Sequence, residues 1–146
     1  NNSTPRNVTS YNYHFGLELR SGFDGIFNYH IGTKWTSFKI QTALENSFTD
    51  NLSFLDLTFV FNKKLNANIQ IERYLFGSPQ IDNIYYFLDL DVHYRLWKNK
   101  LTLGVVGKNL FNNSVFRNFF ITDIGSSNTE YRILPRYVFL KVEYRF

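Results

Sequence analysis

The chain has 146 residues, enough for one domain of ordinary size, with 16 Phe, 10 Tyr and no Cys. The missing Cys excludes a disulfide framework and thiolate chemistry. The net charge of +4 arises from Lys and Arg interleaved with Asp and Glu, without a basic run to hold nucleic acid.

No segment approaches the roughly 20 consecutive apolar residues of a spanning helix, so a membrane-crossing form must use strands. The opening Asn1-Asn2-Ser3-Thr4-Pro5 carries neither an initiator Met nor a secretory signal, which predicts a mature form or a piece of a longer protein. Residues 1–10 read as a polar loop or fragment end, and 11–146 as one all-β unit.

Tyr11 to Arg20 alternates: Tyr11, Tyr13, Phe15, Leu17 and Leu19 on one face, Asn12, His14, Glu18 and Arg20 on the other. A turn is expected at 21–25. Ile26 to Thr36 alternates again, with Phe27, Tyr29, Ile31 and Trp35 against Asn28, His30 and Lys34. Residues 37–51 are ambiguous. Phe38 to Glu45 either continues the preceding strand or stands alone after a tight turn at Thr36-Ser37, and Phe48 to Asn51 reads as a loop.

Leu52–Phe61 and Leu65–Phe76 flank a tight turn at Asn62-Lys63-Lys64, and Arg73 interrupts the apolar face where a long side chain snorkels. Residues 77–83 read as a loop. Ile84–Leu96 and Leu101–Phe111 flank a turn at 97–100. Asn112 to Tyr131 is expected to be the longest loop, and Arg132–Phe146 the last strand, with Pro135 ahead of its regular part. Val138, Leu140, Val142, Tyr144 and Phe146 share one face there, opposite Lys141, Glu143 and Arg145.

The expected architecture is an antiparallel all-β sheet of about seven strands, each long enough for the 9–11 tilted residues that cross a bilayer. The apolar face is expected to look outward to lipid. Ionisable residues (Glu18, Asp56, Glu72, Asp91, Lys141) line the opposite face in mid-strand. Aromatic residues (Tyr11, Trp35, Phe61, Tyr86, Phe111, Phe146) mark stripe ends, and short turns alternate with longer connections. Rival readings are a small complete eight-stranded structural or adhesive barrel and a soluble barrel around a lipophile.

Leu101-Thr102-Leu103-Gly104-Val105-Val106-Gly107-Lys108-Asn109-Leu110-Phe111-Asn112 resembles the penultimate strand and "N-L-F-N" signature of TonB-dependent outer-membrane receptors. Leu134-Pro135-Arg136-Tyr137-Val138, leading to the terminal Phe, resembles the end of the same family, in particular its SusC-related branch. The resemblance implies the C-terminal third of a barrel of about 22 strands in the bacterial outer membrane, importing oligosaccharides, peptides or chelated metals. The partners it implies are the remaining strands and plug, the lipid bilayer, TonB through that plug, the barrel-assembly machinery and a substrate-capturing surface lipoprotein. A receptor-like barrel kept as an assembly subunit is a further reading.

No catalytic constellation or cofactor motif is expected. His14 and His30 are expected to fall opposite or nearly opposite one another around the 21–25 turn, read as lumen polarity rather than a metal site. Asp89 and Asp91 are expected to pair with Arg95 or Lys108. Phe116, Arg117, Asn118, Phe119 and Phe120 form the candidate ligand-contact stretch, since aromatics with Asn and Arg suit sugar or peptide. Leu140, Val142, Tyr144 and Phe146 resemble the C-terminal assembly signal of outer-membrane barrels.

Overall fold

A computed structural model describes residues 9–22, 25–41, 45–77, 83–97, 100–122 and 125–146. The strands are β1 (Thr9–Arg20), β2 (Phe27–Gln41), β3 (Glu45–Val60), β4 (Leu65–Phe76), β5 (Asn83–Leu96), β6 (Leu101–Lys108), β7 (Val115–Thr122), β8 (Gly125–Arg132) and β9 (Tyr137–Tyr144). Seven form one sheet in the order β1-β2-β3-β4-β5-β6-β9, and every neighbouring pair is antiparallel. β7 and β8 form a separate two-stranded sheet.

Several expectations are corrected here. The stretch 112–131 is not a loop: Val115 to Thr122 pairs with Gly125 to Arg132. The aromatic and β-branched residues of Val115–Thr122 favour extended backbone, and the flanking Asn and Ser obscured that preference. β2 runs straight through Thr36-Ser37, and Phe48–Asn51 belongs to β3 rather than to a loop. Pairings such as Ser37↔Thr49 and Phe38↔Phe48 satisfy the backbone there, so no turn is needed. β6 ends at Lys108 rather than Phe111, because Asn109 takes a left-handed backbone (φ 50). The last strand starts at Tyr137, after Pro135. Thr9 and Ser10 are strand, while 1–8 of the expected N-terminal loop lie outside the described residues, as do parts of the connections at 21–25, 77–83 and 97–100.

The turn after β3 shows why these hairpins are tight. Asn62 Oδ1 accepts the backbone N–H groups of Lys64 (2.7 Å) and Leu65 (2.9 Å), so its side chain supplies the turn's hydrogen bonds.

The sheet has little core. Ile40 and Val106 are the buried hydrophobic side chains among the described residues. One face instead carries exposed apolar side chains, with Leu17 at 65% and Leu140 at 80% of full exposure. The registers arrange these as an oblique band. Leu19, Ile31, Leu55, Ile71 and Leu88 share one row. Phe27, Phe59, Ala67, Val92, Val105 and Leu140 share a later one. On β1 the stripe is already complete at Leu19, while on β9 it runs from Val138 to Tyr144 and on to Phe146 beyond the strand. The band crosses the hydrogen-bonded rows at a slant, so the strands tilt relative to it.

At the far ends of β2 and β3 the two faces exchange character, while the apolar face of β4 and β5 continues through Leu75 and Ile84. Ser37, Lys39, Ser47 and Thr49 continue the apolar face with polar groups. Phe38, Phe48, Leu52, Tyr74 and Tyr85 bring rings and apolar chains to the face that is charged lower down.

Candidate functional site

The charged face is held together by cross-strand pairs. Arg20 is opposite His30, and His30 opposite Asp56, so alternation brings three ionisable side chains into one row. Glu18 receives Lys34 Nζ at 3.1 Å, His30 Nε2 at 3.2 Å and Arg20 Nη2 at 3.4 Å. The other nitrogen of His30, Nδ1, lies 3.3 Å from Asp56 Oδ2. Gly32 makes room for this cluster: a Cβ there would come within 2.5 Å of the Phe54 ring. That ring meets His30 edge-on at 4.7 Å and lies 5.8 Å from the Lys34 ammonium.

The register separates the two histidines that the sequence reading placed together. His14 is opposite Thr36, with Nδ1 3.2 Å from its hydroxyl, and five residues of β1 lie between it and the row of His30. The length of a turn does not by itself fix register, so the pairing expected around 21–25 does not form. Among the described residues no three His, Asp or Glu side chains converge as metal ligands.

Asp89 meets Lys108, as expected, at 2.7 Å, and its second oxygen accepts the backbone N–H of Asn109 at 2.9 Å. Asp91 pairs with His93 on its own strand, not with Arg95 or Lys108. Lys108 and Asn109 thus start a junction that the sequence reading missed. Asn109, 6% exposed, donates through Nδ2 to the carbonyls of Asn113 (2.7 Å) and Leu134 (2.9 Å). Its Oδ1 accepts the Asn113 N–H at 3.0 Å. Asn112 is also left-handed (φ 61), and its Oδ1 accepts the N–H of Arg136 at 3.1 Å. Asn113 Nδ2 donates to the Tyr86 carbonyl. The "N-L-F-N" stretch is therefore a clamp. Asn tolerates the left-handed backbone, and its amide ties the departing chain to the returning one.

The β7–β8 hairpin leaves that clamp and docks its base on the charged face. Phe116 sits among Phe76 (5.0 Å between ring centres), Tyr85 (5.1 Å), Tyr74 (5.7 Å) and Phe87 (6.3 Å). The N–H of Arg117 donates to Tyr85 Oη at 2.9 Å. The Arg117 side chain turns away to Glu130, 2.8 Å across the hairpin, and that hydrogen bond holds the guanidinium more firmly protonated than usual. Two adjoining hollows, about 310 and 440 Å³, lie between the hairpin base and the sheet. The first is lined by Glu72, Tyr74, Phe87 and Tyr131; the second adds Asp89, Lys108 and Arg132. Ring faces beside carboxylates and cations suit polyhydroxylated or peptidic solutes.

Of the five candidate contact residues, Phe116 is packed into the sheet and Arg117 is engaged with Glu130. The backbones of Asn118, Phe119 and Phe120 pair with Thr129, Asn128 and Ser127; their side chains lie outside the described residues. Leu140, Val142 and Tyr144 stand exposed on β9 opposite Val105, Leu103 and Leu101, and Phe146 packs edge-on against Tyr144 at 5.2 Å.

Fold and faces define the chain as an open antiparallel sheet with one apolar face and one charged face. Comparison with family models, curated proteins and solved structures finds no match.

Proposed function

We propose that the seven-stranded sheet is the C-terminal, membrane-spanning part of an outer-membrane β-barrel of the TonB-dependent, SusC-related type. In this reading it forms part of the wall of an importer of large nutrients such as oligosaccharides, peptides or chelated metals. The observation that carries the reading is the slanted band of exposed apolar side chains backed by an ion-paired face. A soluble fold would cover such a band, whereas a bilayer solvates it. Among the described residues no helix is long and apolar enough to cross a membrane; in this reading the strands cross it.

Three further features support the reading. A slanted band is what strands tilted to a barrel axis produce. The tight turn at 62–64 and the connection at 97–100 lie at one end of the sheet, and the β7–β8 hairpin at the other. β1 and β9 each present an unpaired edge, which hydrocarbon tolerates only when further strands close it. Those strands, with a plug contacted by TonB, complete the barrel. A surface lipoprotein delivers solute to the hairpin end, and the stripe ending in Phe146 is read by the assembly machinery.

Reconstitution with brominated lipids tests the membrane assignment. Strong quenching of Trp35, with the protein insoluble outside detergent, is expected; a detergent-free soluble protein would overturn it. Transport needs its own assay. Solute uptake must fall when the TonB system is de-energised, and uptake indifferent to energisation would leave a structural barrel.

A further inference from the structure

The apolar band has one built interruption. Leu17, Thr33, Ser53, Arg73 and Tyr86 share a row. Thr33 and Ser53 are short, so the row dips between Leu17 and Arg73 into a groove of about 510 Å³. Leu19, Ile31, Leu55 and Ile71 make most of its lining apolar. Its few polar groups are pre-ordered from behind by Asn51, which is 6% exposed. Asn51 Nδ2 donates to Thr33 Oγ1 at 2.9 Å and to the Lys34 carbonyl at 3.1 Å. Asn51 Oδ1 accepts Ser53 Oγ at 3.1 Å and Arg73 Nη1 at 2.9 Å. The Arg73 guanidinium is thus held at the groove's outer end by a neutral amide. The described residues offer it no carboxylate, and its remaining N–H groups are available to an anion.

We infer that this groove binds an anionic phospholipid of the surrounding bilayer, its acyl chain along Leu19, Ile31 and Leu55 and its phosphate on Arg73. The inference rests on the membrane reading above. A cation fixed in an interruption of an exposed apolar band, with hydroxyls beside it, complements a charged headgroup joined to a hydrocarbon chain. Arg73 merely reaching toward water would need neither Asn51 nor the groove.

The test is native mass spectrometry of the detergent-extracted protein, titrated with dioleoyl-phosphatidylglycerol or dioleoyl-phosphatidylcholine. Wild type is expected to hold its first phosphatidylglycerol about fivefold more tightly than phosphatidylcholine, the scale of one partly solvated charge pair. Arg73→Gln should abolish that preference and Arg73→Lys keep part of it. Thr33→Leu, which fills the groove and leaves Arg73 in place, should weaken both lipids. Equal affinity for the two lipids in wild type, or an undiminished preference in Arg73→Gln, overturns the inference. If Trp35 is still quenched by brominated lipid, the membrane reading survives that result; solubility without detergent overturns both.

Discussion

The lower part of the sheet and its far end are built from the same strands and obey opposite rules. In the lower part, half-buried Leu55, Ile71 and Leu88 carry the apolar face while Asp56, His30 and Asp89 pair across the other face. At the far end, Ser37, Lys39 and Thr49 occupy the formerly apolar face, and Phe38 packs on Phe48 at 5.3 Å on the other. A strand keeps its two-residue period throughout, so the exchange reflects a change in what each face meets. The seam between the two regimes falls between Trp35 and Ser37 on β2 and between Leu55 and Asn51 on β3.

Charge insertion breaks this comparison most sharply. Leu140→Arg in the band should cost about 2–4 kcal/mol in reversible urea unfolding from vesicles, as for lipid-facing charges at depth. Ser37→Arg, on the same face beyond the seam, should change stability by no more than about 0.5 kcal/mol. Equal costs at both positions would remove the distinction between the regions.

The clamp comes next. Asn109→Ala removes three hydrogen bonds and leaves a non-glycine residue at φ 50, so a loss of about 2–3 kcal/mol is expected. Limited proteolysis should report it as new cleavage between Leu110 and Arg136. Asn109→Gly, which keeps the backbone and loses only the amide, should be intermediate; indistinguishable variants would show that backbone conformation contributes nothing.

Phe116→Ala tests how the hairpin docks. The ring is half-buried among four aromatic neighbours of the main sheet and Tyr131 of its own hairpin, so about 1–2 kcal/mol should be lost, less than for a fully buried Phe. Amide exchange should accelerate in β7 and β8 and stay unchanged in β2 and β3. Protection lost across the whole sheet would argue that the hairpin is integral rather than docked.

The smallest effect concerns Asp50, beyond the seam on β3. Its carboxyl accepts the Gly77 N–H at 3.0 Å, yet burial outweighs that bond and pushes it above its usual 3.8. The ionised form is therefore disfavoured in the folded state. Folding stability should rise slightly as pH falls through the raised value toward 3.8, where a solvated carboxylate would show no such gain. Asp50→Asn keeps the acceptor and should flatten that pH dependence in denaturant titrations. An unchanged slope would assign the effect to another group.

Much of the sheet was legible in the residue order. Alternation in Tyr11–Arg20, Leu65–Phe76 and Ile84–Leu96 is local, because a strand's period is set by its own backbone. Asn62-Lys63-Lys64 announced its turn for the same reason. The Asp89–Lys108 contact was foreseen because both residues flank one short connection. His14 and His30 failed together, since register is a relation between strands and turn length alone does not fix it. The β7–β8 pairing was hidden because a strand that opens Gly125-Ser126-Ser127-Asn128 looks like a loop until it finds its partner. The clamp was visible as letters, but nothing local says that Asn109 meets Leu134.

The sequence by itself determined which side of each strand is apolar, how many strands the main sheet has, and where most of its short turns fall. Those properties depend on neighbours one or two residues away. Tertiary structure alone decided that the apolar stripes join into one slanted band, that Phe116 is packed rather than free, and that Arg73 is held by Asn51 above a groove. Each of those is set by the stagger between strands, a sum of many cross-strand pairings that no single stretch of sequence contains.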